Sequence, residues 1–200
     1  VVPAQIKAVE YLKNVAKEHK GKLILTGHSK GGNLAVYAAV HSDAAIRERI
    51  TAVYSNDGPG FGKNILDDPD YREIRPRICN LVPQSSVVGM LLEHDENFTV
   101  VKSRQKSGFL QHNGLSWEIL GNSFVHLKDV TSDSRKLDRT VNRWIRDMTP
   151  EQREEFAEAV RCTDMWSIDK YFALHWGWPY DVAQRGGRSH SRGNIGEIYE

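Results

Sequence analysis

Leu23-Ile24-Leu25-Thr26-Gly27-His28-Ser29-Lys30-Gly31-Gly32-Asn33-Leu34-Ala35 is the stretch on which the fold turns. Its first three residues form a short continuous apolar run, the pattern of a strand buried on both faces. Gly32 to His41 then reads as a helix whose small face, Leu34, Ala35, Ala38 and Ala39, suits close packing on a sheet. Between strand and helix lies G-x-S-x-G, as Gly27-His28-Ser29-Lys30-Gly31. In that spacing a serine sits on a sharp strand-to-helix turn with its hydroxyl raised above the sheet. Side chains two residues before and after it would collide with neighbouring backbone, hence the expectation that Gly27 and Gly31 are both sterically required. The Lys30 amide falls at a helix N-terminus, where a free donor and the helix dipole suit an oxyanion. The plain alternative is a glycine-rich turn whose serine only caps the helix.

Working outward, Pro3 to His19 reads as a helix with Ile6, Val9, Leu12 and Val15 as its apolar stripe. Strands are expected at Ile50–Tyr54, Ile78–Val82 and Phe98–Val101, a short polar helix at Asp67–Glu73, and a partly extended segment from Phe109 to Glu118. Helix and strand in alternation predict an α/β fold: a mostly parallel sheet flanked by helices. Ser132–Met148 and Pro150–Cys162 read as amphipathic helices that make the C-terminal region helical, the second with Thr149 as N-cap and Pro150 at the first helical position. The expected organisation is one domain over residues 1–163, an aromatic extension over 164–183 containing Trp176 and Trp178, and a disordered tail over 184–200. The arginines of that tail read as solvated charge rather than an RNA site.

Composition narrows the function. The 200 residues carry 27 Lys and Arg against 26 Asp and Glu, a net charge of +1, which gives no general electrostatic case for nucleic acid. No apolar run reaches the ~20 residues of a transmembrane helix. The two cysteines, Cys79 and Cys162, form no CxxC pair; they read as reduced thiols, and with them the expected location is the cytoplasm. No metal or other cofactor is expected. Gly58-Pro59-Gly60-Phe61-Gly62-Lys63-Asn64 fails as a phosphate-binding loop, because it is one residue short and has Asn64 where Ser or Thr should meet Mg²⁺.

A serine nucleophile needs a histidine to take its proton and a carboxylate to orient that histidine. In a strand–serine–helix arrangement the chain order is Ser, then acid, then His. His19 and His41 fall at helix ends and read as exposed; His28 reads as packed in the elbow. His112, in Phe109-Leu110-Gln111-His112-Asn113-Gly114-Leu115-Ser116-Trp117, follows the last strand candidate and is the candidate base, the alternative being a surface histidine beside a turn. The loop after the third strand, Gln84-Ser85-Ser86, holds no carboxylate. Asp57, at the end of the preceding strand, is the candidate acid, and it also reads as an Asx-type turn before Gly58.

The blocks 26–35, 56–61 (Asn56-Asp57-Gly58-Pro59-Gly60-Phe61), 82–92 and 110–117 (Leu110 to Trp117), in this order, resemble the bacterial Mbeg1-like family, an α/β-hydrolase group similar to class 3 (fungal-type) lipases. The resemblance implies an α/β-hydrolase fold, with Ser29 as nucleophile and His112 as base; Asp57 departs from the lipase pattern, which places the acid after the later strand. Such lipases also have strands ahead of the nucleophile, whose loop supplies a second oxyanion donor. Only 28 residues precede Ser29, so those N-terminal strands are expected to be missing. The expected function is a serine hydrolase acting on a small-molecule or lipid-like carboxylic ester, with Met90-Leu91-Leu92 as an acyl-pocket or lid candidate. A non-catalytic binding or scaffold protein on the same fold is the alternative.

Overall fold

The structure is a computed structural model. It describes residues 2–92, 98–106, 108–132 and a few positions between 134 and 152. The chain divides at Arg153/Glu154 into two units, and every described residue belongs to the first. The expected boundaries at 163 and 183, Trp176, Trp178 and the tail lie outside the described residues.

The helix α1 (Pro3–Glu18) precedes β1 (Leu23–His28). After β1 come α2 (Lys30–Val40), a short α3 (Ala44–Arg47) and β2 (Ile50–Asn56). Two further short helices, α4 (Lys63–Leu66) and α5 (Pro69–Ile74), lead to β3 (Ile78–Pro83), and β4 (Thr99–Val101) follows. Strands β1 to β4 pair in chain order, each parallel to the next. The antiparallel β7 (His126–Leu127) pairs with β4. Beside it, β5 (Ile119–Leu120) and β6 (Ser123–Phe124) form a separate two-stranded ribbon around Gly121.

Burial explains the layering. Leu12 of α1, Val36, Tyr37, Ala39 and Val40 of α2, Val53 of β2 and Tyr71 and Ile74 of α5 close into one core, with Leu23 and Leu25 of β1 packed against it. A second core gathers Val82, Met90, Val100 and Val130. Arg47 is buried and staples α3 to α5 by donating to Asp70 and Glu73 and to the carbonyls of Val40 and Ser42.

Several expectations need correction. Strand β1 is not buried on both faces: Leu23 and Leu25 face the core while Ile24 is 66% exposed, and Thr26 and His28 on the same face are also exposed. The apolar run marks an edge strand with one face covered among the described residues. In α1 the core stripe is Leu12 and Ala16 with Val9, and Ile6 is exposed. At about 100° per residue, Ile6 lies about 120° around the helix from Leu12, so a strict three-residue repeat drifts off the core. Of the segment expected to be partly extended from Phe109 to Glu118, the first part is helical, as α6 (Gly108–Gln111) and a 3-10 turn at Gly114–Ser116, and Trp117 is extended and bridges to Ser103. His41 is not an exposed helix end; its ring lies on Tyr37, and its Nε2 is buried without a partner among the described residues. Met90 belongs to the second core, with Val82, Val100 and Val130. Thr149 does cap as expected: its hydroxyl accepts from Gln152 N while Gln152 Oε1 accepts from Thr149 N. Two residues after Thr149, Glu151 has its carboxyl held below its ordinary pKa, first by a backbone hydrogen bond and then by the Thr149 hydroxyl.

Candidate functional site

Ser29 stands between the last residue of β1 and the first of α2 with φ 57° and ψ −129°. That conformation is costly for a side-chain-bearing residue, of order 1–3 kcal/mol, and persists only where its surroundings enforce it. Two glycines let the turn close. A Cβ on Gly27 would lie 2.1 Å from the carbonyl carbon of Gly31, and one on Gly32 would lie 2.6 Å from Ser55 Oγ. Gly31 itself is not sterically required, contrary to expectation, since a Cβ there would meet nothing within 4 Å. Its backbone, not its missing side chain, is what Gly27 has to clear. The Ser29 carbonyl accepts the Gly32 amide at 2.9 Å, which leaves the Lys30 amide at the helix start without an acceptor among the described residues.

Asp57 follows β2 with φ 49° and is fully buried. Its amide donates to the Leu81 carbonyl at 2.7 Å, which fixes the residue across the ends of β2 and β3. Each carboxylate oxygen has a distinct task. Oδ1 accepts from the Ser86 hydroxyl at 2.5 Å and from the Gly89 amide at 3.0 Å. Oδ2 lies 2.6 Å from His112 Nδ1. A buried carboxyl group needs hydrogen-bond partners for its oxygens, and here Ser86, Gly89 and His112 supply them. Gly89 approaches so closely that a Cβ would sit 2.3 Å from Asp57 Oδ1.

His112 lies between α6 and the 3-10 turn, on a loop with several anchors. Buried Gln111 accepts from Ser85 N through Oε1 and donates to the Gln105 carbonyl through Nε2. Trp117 Nε1 donates to the Gln111 carbonyl at 2.8 Å. His112 is itself part-buried, and its ring centroid is 4.5 Å from that of His28, the residue before Ser29.

Asp57 and His112 are therefore hydrogen-bonded, and His112 lies against the elbow. The Ser29 hydroxyl makes no hydrogen bond to His112 in this structure; no partner for it occurs among the described residues. His28 is exposed and lies against His112, not packed inside the elbow as expected. Four positioning groups escaped sequence reasoning: Ser86, Gly89, Gln111 and Asn33. Asn33 Nδ2 donates to the Pro59 and Gly60 carbonyls, tying the loop beyond Asp57 to α2, and its Oδ1 accepts from Gln5. The signal for Ser86 was present but inverted: the loop where the resemblance places the acid supplies a hydroxyl that holds Asp57.

A family model described as Mbeg1-like matches residues 1–161. The chain belongs to the Mbeg1-like family. No curated protein and no solved structure matches it. The matched span contains every element from α1 to β7 and all the residues of this Mbeg1-like site. Among the described residues no helix is long and apolar enough to cross a membrane, and no group of three or more His, Cys, Asp or Glu is placed to hold a metal ion.

Proposed function

We propose that this Mbeg1-like protein is a serine hydrolase of α/β-hydrolase type that cleaves carboxylic esters through an acyl-enzyme. The observation that carries the reading is the 2.6 Å contact of buried Asp57 with His112 Nδ1, beside a serine held at positive φ. A carboxylate cannot donate, so the proton lies on Nδ1 and the Nε2 lone pair is left to act as base. In this reading Ser29 Oγ attacks the ester carbonyl as Nε2 takes its proton. The tetrahedral oxyanion is met by the Lys30 amide. The carbon–oxygen bond to the alcohol then breaks, and His112 returns the proton to the leaving oxygen. Water, deprotonated by the same nitrogen, attacks the acyl-Ser29 ester; the bond between the acyl carbon and Ser29 Oγ breaks, Nε2 returns the proton to Oγ, and the acid leaves. Asp57 stays ionised throughout and stabilises the imidazolium.

Exposed Leu110 and Leu115 on either side of His112 favour an apolar acyl group, and so a lipid-like ester. Aryl esters of increasing acyl length test this: the protein is expected to turn them over, with Ser29→Ala inactive. The alternative, a binding or scaffold protein on the same fold, predicts no turnover with Ser29 intact.

A further inference from the structure

We propose that His28 is a positioning residue that tethers the loop carrying His112 to the peptide carrying Ser29. The inference rests on the reading of Ser29 and His112 as nucleophile and base. His28 Nε2 lies 2.7 Å from the His112 carbonyl oxygen. A carbonyl has no proton to give, so Nε2 carries the hydrogen and donates. Among the described residues no other group bonds that carbonyl. His112 is thus gripped at two points: its backbone by His28 and its ring Nδ1 by Asp57. With the backbone and one ring nitrogen fixed, the remaining nitrogen has little freedom of direction. Because His28 and Ser29 are adjacent in the chain, the grip ties the base to the nucleophile itself and not merely to the sheet. The other anchors of the loop, Gln111 and Trp117, hold it to residues 85 and 105 and to itself, far along the chain from Ser29.

A core-packing role does not account for His28. It ends β1 on the exposed face of the strand, in line with Thr26 and Ile24. Removing its ring costs little buried surface, so the loss is expected in rate rather than in stability. Misplacing a catalytic group by about 1 Å can cost on the order of 100-fold in rate.

The test compares wild type, His28→Leu and His28→Gln. Leucine keeps bulk without a donor; glutamine returns an N–H at about the reach of Nε2. The readouts are the rate of phosphonylation by a fluorophosphonate, the melting temperature and the low-field proton resonance of His112 Nδ1–H. His28→Leu is expected to react about tenfold or more slowly with a nearly unchanged melting temperature and a shifted or broadened resonance. His28→Gln is expected to recover most of the rate. Wild-type rate in His28→Leu overturns the proposal, as does an equal loss in the glutamine variant. If the wild type itself does not react, the hydrolase reading fails and the resonance decides the tether: loss in the leucine variant with recovery in the glutamine variant sustains it, and an unchanged resonance in His28→Leu overturns it.

Discussion

Ser29 and Asp57 both carry side chains at positive φ, and both stand where a strand gives way to the next segment. Their conformations are enforced by close backbone approach, which makes the neighbouring glycines unequal. Gly27→Ala drives a methyl into the Gly31 backbone and is expected to destabilise the fold by about 3 kcal/mol or more, whereas Gly31→Ala should stay within about 1 kcal/mol. Chemical denaturation of the two variants checks this, and equal losses would contradict the steric account. Ser86 has a different role. It supplies one of the two donors on Asp57 Oδ1, and Ser86→Ala leaves that oxygen buried with the Gly89 amide alone. A cost of about 1–3 kcal/mol in stability is expected, with slower ester turnover, measured by melting and kinetics on one preparation. At this scale the sequence was partly legible. The elbow motif names Ser29 because the turn imposes its spacing, and Asp57 was visible as a carboxylate at a strand end. Ser86 was not, since a hydroxyl in a polar loop looks the same whether it faces water or a carboxylate.

Strand β1 lies at the edge of the sheet, and its Ile24, Thr26 and His28 face is exposed. Strand β2 is paired on both sides. Alternate amides of a strand point to opposite neighbours, so about half of those in β1 lack a sheet partner among the described residues. Hydrogen exchange should therefore be slower in peptides covering Ile50–Asn56 than in those covering Leu23–His28. Equal protection would mean that something covers the edge. The longer elements were readable because periodicity accumulates with length: α1, α2 and the apolar strands stood out. The four-residue helices α3, α4 and α6 and the two-residue strands β5, β6 and β7 are too short to show a period, and their conformations follow from tertiary contacts.

For the described unit as a whole, strand order equals chain order from β1 to β4. The parallel strands bring their C-terminal ends to one edge, and the chain delivers Ser29, Asp57 and Ser86 to that edge from three successive strands, with His112 returning from beyond β4. Ligands in open parallel sheets bind at this edge, so topology alone brings the groups close together. Sequence alternation predicted a mostly parallel sheet flanked by helices, but neither the strand order nor the hydrogen bonds that turn proximity into alignment. The central claim is that Ser29 is a nucleophile served by Asp57-oriented His112. Intact-mass analysis after fluorophosphonate treatment, with peptide mapping of the adduct, tests it most directly. The account predicts one adduct on Ser29, none on the Ser29→Ala variant, and much slower labelling of Asp57→Asn. An unlabelled wild-type protein, or equal labelling of wild type and Ser29→Ala, would contradict it.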